Sequence, residues 1–477
     1  MRYEFDLVII GAGSAGLLAG EVAPKIGLKT ALIERSRLGG DCLWTGCVPS
    51  KALLASAKAA HTIRHADKYG LPSTGLEVDT GQVWRRIREI QESIATTDDS
   101  PEKYRALGVD VIFGDAALVD EHTVRAGERT VTARYILICT GSRPATPPIE
   151  GLEEIGYLTS ESIFELERAP SSLVILGAGP IGVEMAQAMN RLGVKTTLLE
   201  LAGRILERDE PSLSERLLQS LRDEGVEVLL NCQEHRAIRR DGRKVLHVVL
   251  DGEEREYSAE EIFVATGRKA NIESLGLDRV GVQTGPRGMV VDKKLRSAVK
   301  SIYGAGDCVG RFFFTHSAGA ETTRVIRNMF YPGSQNAPEL IPWATFSDPE
   351  LAHVGMTSQE AQATYGKDGI RVFDWDLERN DRTRTESATP GSMVVVADAK
   401  LKILGAHILA PAASEMIGQF TLAIDQGVRL TPALRDLVQV YPTFSTSIPQ
   451  LTEEAVYAQL AEPLYRMLRR VNEVFGI

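Results

Sequence analysis

Three observations predict an α/β chain built from two similar strand–helix–strand units and closed by an α+β domain. A short apolar strand runs into a glycine-rich turn twice, at residues 6–16 and 172–182. Each copy returns, after a helix-forming stretch, to a second apolar strand that ends in an acid. From about Ile341 the pattern changes: residues 393–396 and 403–409 read as antiparallel strands, and 412–424 and 452–468 as helices.

Length and composition narrow the class. A chain of 477 residues exceeds what one core serves, so about two to four domains are expected. The net charge of −10 argues against nucleic acid or an anionic membrane surface as a general partner. Five cysteines are too few for a disulfide scaffold, and Cys139, Cys232 and Cys308 lie in or beside apolar runs expected in the core. No apolar stretch reaches the ~20 residues that span a bilayer. The chain enters a strand within a few residues of Met1, which predicts no signal peptide and a cytoplasmic enzyme.

The first unit reads as a strand at 6–10, the turn Gly11-Ala12-Gly13-Ser14-Ala15-Gly16, a helix, and a strand at 30–34 ending in Glu34. The second repeats it with a strand at 172–176, Gly177-Ala178-Gly179-Pro180-Ile181-Gly182, and a strand ending in Glu200. The acid follows the first glycine by 23 positions in both copies (11 to 34, 177 to 200). One such loop is weak evidence, but two in this context point to Rossmann-like dinucleotide sites. The glycines permit a tight turn and close approach of a pyrophosphate, the helix N-terminus receives its charge, and the acid accepts ribose hydroxyls. Each unit is then closed by a buried strand ending in Thr-Gly and a basic residue, at Thr140-Gly141 and Thr266-Gly267. Pro144, Pro147 and Pro148 read as a linker, and residues 302–307 end in Gly306-Asp307, a carboxylate placed to meet a polyol hydroxyl.

About thirty residues after the first glycine loop comes Gly39-Gly40-Asp41-Cys42-Leu43-Trp44-Thr45-Gly46-Cys47-Val48-Pro49-Ser50-Lys51. In an unbroken helix residues five apart stand ~8.6 Å from one another, whereas a disulfide needs Cα atoms within about 7 Å. Cys42 and Cys47 can therefore bridge only across a bend, which Gly46 permits. The following stretch is a strong helix former with Pro49 in its first turn, so Cys47 lies near a helix N-terminus that stabilises a thiolate. A redox pair competes here with a metal site and with plain core thiols. Cys42, Cys47, His61 and His65 satisfy the loose spacing of a zinc module, although no hairpin pattern surrounds the cysteines. Inert buried thiols explain neither the glycine pair nor the Pro-Ser-Lys run.

With the paired loops, the cysteine run, the Thr-Gly strands and Gly304-Ala305-Gly306-Asp307, the chain resembles the FAD-dependent pyridine nucleotide–disulfide oxidoreductases over essentially its whole length. Dihydrolipoyl dehydrogenase, glutathione reductase and mercuric reductase belong to this family. The run from Phe346-Ser347-Asp348-Pro349-Glu350 to Val354-Gly355 matches the opening of its dimerisation domain. The resemblance implies a FAD domain at 1–150 and 272–340, an NAD(P)H domain at 151–271 and a C-terminal dimerisation domain at 341–477. It implies that Gly11, Gly13, Gly16 and Glu34 bind the adenosine and pyrophosphate half of FAD, with Gly141 beside them and Asp307 toward the ribityl chain. Gly177, Gly179, Gly182 and Glu200, with Gly267, would bind NAD(P)H. Cys47 would be the flavin-side thiolate, Cys42 the outer sulfur that attacks substrate, and Lys51 and Glu184 an ion pair near the hydride-accepting atom. Glu200 would repel a 2′-phosphate, and the next basic residue is Arg204, which favours NADH.

Two departures matter. Where the family has His-Pro-x-x-x-Glu near the C-terminus, this chain has Tyr441-Pro442-Thr443-Phe444-Ser445-Thr446, and no histidine follows His407. A phenol of pKa ≈ 10 is a poor base at neutral pH, which argues against proficient lipoamide chemistry. Mercuric reductases typically carry a C-terminal cysteine pair, and no cysteine follows Cys308 here. The expectation is a mercuric-reductase-like homodimer that passes electrons from NAD(P)H to a disulfide, a thiol-bound metal or another acceptor, with no resident metal. A dihydrolipoyl dehydrogenase, a mercuric reductase and a redox-sensing flavoprotein are the alternatives.

Overall fold

The computed structural model describes residues 3–460, apart from 74 and 390, together with residue 467. The fold is α/β, with two sheets of Rossmann type, the first extended by an antiparallel hairpin of Ala116–Asp120 and Thr123–Ala126, and a separate antiparallel sheet toward the C-terminus. In the first sheet Asp110–Phe113, Thr30–Glu34, Phe5–Ile10 and Arg129–Ile138 run parallel in that spatial order. Ile302–Gly304 joins the other side of Arg129–Ile138, more than 150 residues further along the chain. Leu7, Val8 and Ile9 are fully buried, as strands covered on both faces require. Each such side chain contributes about 1.5–3 kcal/mol by burial.

The second parallel sheet orders Glu227–Leu229, Lys195–Leu199, Ser172–Leu176 and Glu261–Val264. Between its last two strands in sequence lies a three-stranded antiparallel sheet, Gln233–Arg240, Arg243–Leu250 and Glu253–Ala259, that hydrophobic alternation does not reveal. Its outer strands carry charge on both faces, so only the central strand reads as amphipathic. The turns, however, are Asp241-Gly242 and Asp251-Gly252, with positive φ at all four residues. Asp-Gly between two extended runs is a hairpin signal. The proline-rich linker is also more ordered than expected: Ser142–Pro144 pairs antiparallel with Arg268–Ala270, so the two closing segments hold each other.

The C-terminal sheet orders Trp343–Thr345, Glu350–Gly355, Ile403–Ala410, Ser392–Asp398 and Ile370–Asp376, all antiparallel. Helix Ala413–Asp425 covers one face through Met416, Ile417 and Phe420. Helix Ser447–Leu460 begins earlier than the expected 452–468, of which 461–466 and 468 fall outside the described residues. Among the described residues no helix is long and apolar enough to cross a membrane. Cys139, Cys232 and Cys308 are buried, as their apolar surroundings predict.

Candidate active site

The two glycine loops repeat each other in detail. Gly11 and Gly177 have φ of +100° and +96°, and a Cβ there would stand 2.5 Å from the Cys139 carbonyl oxygen and 2.7 Å from that of Ala265. At Gly16 and Gly182 a Cβ would stand 1.8 Å from the carbonyl oxygen of Gly11 and Gly177, so these positions serve close helix packing. The middle glycines are not crowded. The nearest atom to a Gly13 Cβ would be Gly40 Cα at 3.7 Å, and nothing lies within 4 Å of a Gly179 Cβ.

Helices Ser14–Lys25 and Pro180–Arg191 start at these loops with no side-chain cap, leaving N–H groups for an anion. Glu34 accepts the backbone N–H groups of Ala12 and Ser36 at 2.8 and 2.9 Å. Glu200 accepts those of Ala178 and Ala202 at 2.6 and 2.9 Å. Gly141 and Gly267 follow the closing strands in positive-φ turns. An open cradle over an uncapped helix start, with an oriented carboxylate beside it, fits a dinucleotide at both loops.

The cysteine run breaks into two helices, Gly40–Trp44 and Cys47–Arg64, separated by Thr45 and Gly46. This is the bend that a Cys42–Cys47 bridge requires. A Cβ at Gly46 would come 2.9 Å from Asp41 Oδ2, so close packing selects glycine. Both cysteines are thiols here, and they are unlike. Cys47, the first residue of its helix, is lowered to about 6, first by the hydrogen bond from Cys42 and then by Thr315 and Lys51, against burial. Cys42 is pushed up by giving that hydrogen bond and by burial. The pair therefore holds one proton on Cys42 and a thiolate at Cys47, whose Sγ lies 3.6 Å from Thr315 Oγ1. The zinc arrangement is excluded by geometry. His61 is fourteen residues along the same helix, roughly 21 Å from Cys47.

Lys51, one turn into that helix, reaches Glu184 Oε2 at 2.8 Å and Oε1 at 3.1 Å. Glu184 is buried on helix Pro180–Arg191 and also accepts the Phe346 N–H at 2.9 Å. The ammonium sits 4.4 Å from the Phe346 ring centroid. The helix that starts at Cys47, helix Pro180–Arg191 and the segment entering the C-terminal sheet thus meet at Lys51.

Asp307 is pushed up by burial, against hydrogen bonding from Ser142 and the charge of Arg268. Ser142 Oγ donates to it at 2.5 Å and itself accepts from Arg268 Nε at 2.7 Å. Arg268 continues to Asp41 Oδ2 at 3.2 Å. Asp41, Ser142, Arg268 and Thr315 are site residues that sequence reasoning does not single out. Only Arg268 carries a signal, as the basic residue after Thr266-Gly267.

Tyr441 stands apart from these groups and is 71% exposed. Its hydroxyl donates to Asp381 Oδ2 at 2.9 Å, and that carboxylate holds the phenol proton above its ordinary range. Thr446 does not face it: its hydroxyl donates to the Thr443 carbonyl and accepts from Asn380. The partner of Tyr441 therefore comes from another segment, helix Asp381–Thr385, capped by Asn380. Leu422, Val438, Val440 and Tyr457 are also exposed on this domain.

Such a fold, with two dinucleotide cradles and a thiol pair beside the Lys51–Glu184 ion pair, defines a nucleotide-dependent oxidoreductase. Comparison with known proteins narrows the class. Residues 5–341 match the family model described as pyridine nucleotide-disulphide oxidoreductase, and 341–452 match its dimerisation domain. Mercuric reductase of Bacillus cereus is 34% identical over 454 residues, covering 94% of this chain and 71% of that protein. Dihydrolipoyl dehydrogenase of Bacillus subtilis (strain 168) is 31% identical over 468 residues, covering 94% and 97%. The structure of the HOCl-induced flavoprotein disulfide reductase RclA from Escherichia coli superposes with a TM-score of 0.83 at 27% identity, covering 94% of this chain and 99% of that one. The chain belongs to the pyridine nucleotide–disulphide oxidoreductase family, whose members use FAD and NAD(P)H.

Proposed function

We propose that this protein takes electrons from NAD(P)H, with NADH preferred, and delivers them through FAD and the Cys42–Cys47 pair to a disulfide or thiol-bound metal. The observation that carries it is the placement of Cys42 and Cys47 across the Thr45–Gly46 break, with Cys47 opening a helix beside Lys51 and Glu184, an arrangement that pushes Cys47 down and Cys42 up. FAD would be held by Gly11, Gly13, Gly16, Glu34 and Asp307 in a domain of residues 1–150 and 272–340. NADH would be held by Gly177, Gly179, Gly182 and Glu200 within residues 151–271. Bound there, FAD supplies a two-electron carrier between the nicotinamide and the disulfide.

The chain's own residues do the rest. Lys51 and Glu184 hold a fixed charge pair at the base of the cysteine helix. The start of that helix, with Thr315 and Lys51, stabilises charge on Cys47 Sγ. Cys42 holds the shared proton at rest, and once that proton passes along their hydrogen bond to Cys47 Sγ, Cys42 becomes the sulfur that attacks an acceptor. Residues from 341 onward would form a two-fold interface placing Tyr441 over the partner's pair. A phenol whose proton is held by Asp381 gives no neutral-pH base, which disfavours dithiol oxidation.

The test is an NADH- and NADPH-driven acceptor panel of oxidised glutathione, lipoamide, Hg(II) and quinones on wild type and Cys42→Ser. Turnover of a disulfide or metal acceptor with NADH, lost in Cys42→Ser, is expected. Undiminished turnover in Cys42→Ser, or a clear NADPH advantage, overturns the corresponding part.

A further inference from the structure

Asp41 stands immediately before Cys42 on Gly40–Trp44, and the roles proposed above leave it without one. Its carboxylate is held from three directions. Oδ1 accepts the Thr45 hydroxyl at 2.6 Å, and Thr45 is half of the bend between the cysteines. Oδ2 lies 3.2 Å from the Arg268 guanidinium, which also donates to Ser142 Oγ and approaches Asp307 to 3.7 Å. The other half of the bend, Gly46, packs so close to Oδ2 that a Cβ there would come within 2.9 Å. An idle aspartate with 37% of its side chain exposed would keep its rotamer freedom in water instead. Its charge also reaches the sulfurs, pushing both thiols up against the lowering influences on Cys47.

We propose that Asp41 is the positioning residue of the redox turn: it locks the bend that joins Cys42 to Cys47, ties it through Arg268 to the Asp307 side of the site, and sets how many protons the reduced pair carries. The inference rests on Cys42 and Cys47 being the redox pair. Two electrons from the nicotinamide break the S–S bond. One proton from solvent then gives a Cys42 thiol and a Cys47 thiolate, and a second gives two thiols. The Asp41 charge favours uptake of the second proton, and Arg268 opposes it by neutralising that charge. Reactivity of the reduced pair thus follows a charge outside the pair itself.

The experiment reads that proton directly. Flavin-loaded protein is reduced anaerobically with NADH and alkylated with iodoacetamide over a pH series, with Cys42 and Cys47 resolved by peptide mass mapping. Asp41→Asn keeps the acceptor for Thr45 but removes the charge, and should move the Cys47 midpoint down by about half a pH unit or more. Arg268→Met leaves Asp41 unneutralised and should move it up. Asp41→Ala removes the anchor as well, and should also slow re-closure of the disulfide by oxidised dithiothreitol by about tenfold. An Asp41→Asn midpoint at or above the wild-type value overturns the inference. So do shifts of Asp41→Asn and Arg268→Met in the same direction, since that signals mere disturbance of the turn. A wild-type protein in which neither cysteine shows a thiolate midpoint overturns the assignment of the pair itself.

Discussion

Replacing Tyr441 with histidine should raise dihydrolipoamide oxidation without any second substitution. The structure supplies the reason: Asp381 Oδ2 accepts from the phenol oxygen at 2.9 Å, so a carboxylate is at hand to orient an imidazole whose nitrogens lie somewhat nearer the backbone. At pH 7.5 a phenol of pKa ≈ 10 is deprotonated to only about 0.3%, and Asp381 lowers that fraction further. An imidazole of pKa ≈ 6.5 is about 90% neutral at that pH, so the fraction of competent base rises roughly 300-fold. Part of this is offset because phenolate is the stronger base, leaving a gain of about 10–10²-fold, at or below the low end of the usual 10²–10⁴-fold for general-base catalysis. The assay is NAD⁺ reduction by dihydrolipoamide at saturating NAD⁺, for wild type, Tyr441→His and Tyr441→His with Asp381→Asn. The double variant should lose most of the gain. Fast oxidation by the wild-type enzyme would refute the reasoning, as would a folded, dimeric Tyr441→His protein with no gain. A Tyr441→Phe variant that loses NADH-to-acceptor turnover would assign the hydroxyl a direct role.

Cys47→Ser should abolish the long-wavelength charge-transfer absorbance of the reduced enzyme, and Cys42→Ser should display it without reductant; a band indifferent to both would reassign the sulfurs. Lys51→Met leaves Glu184, only 5% exposed, with the Phe346 N–H as its remaining donor. It should cost about 3 kcal/mol in urea unfolding, the low end for breaking a buried pair because Lys51 is itself part-exposed. His353 and His407 are buried with Nδ1 atoms 3.1 Å apart, and burial pushes both down, His353 to about 2. A base depressed in the folded state binds its proton more readily when unfolded, so stability is lost as pH falls below the unfolded value near 6.5. Between pH 6.5 and 5 the loss should be about 2 kcal/mol per ring that stays neutral, and His353→Phe should flatten that slope in urea titrations at each pH. Val438→Asp with Val440→Asp, two exposed positions beside Tyr441, should split the dimer in light scattering; an unchanged mass would move the interface elsewhere.

What the sequence discloses, and what it hides, follows from how each feature is encoded. Gly11, Gly16, Gly177 and Gly182 are legible because they answer to the local backbone: a Cβ at any of them collides with a carbonyl. The bend between Cys42 and Cys47 is legible for the same reason, since five-residue spacing in a helix forbids a bridge. Lys51 and Glu184, 133 positions apart, can be paired only through the family's pattern, and the fold brings them to 2.8 Å. Nothing local marks the carboxylates at Asp41 and Asp381. Asp381 meets Tyr441 across 60 positions, and Asp41 meets Arg268 across more than 200. Each belongs to a contact made when separate layers pack, and a charged residue next to a turn reads, by itself, as solvated. The hairpins at Asp241-Gly242 and Asp251-Gly252 are the opposite case, announced by their turns and concealed by charge on both faces of the outer strands. Family pattern makes the cofactor loops and the sulfurs readable, but the carboxylates that tune the sulfurs and hold Tyr441 carry no motif of their own. Acceptor choice should therefore be sought at Asp41, Arg268, Asp381 and Tyr441 rather than at the glycines and cysteines the motifs name.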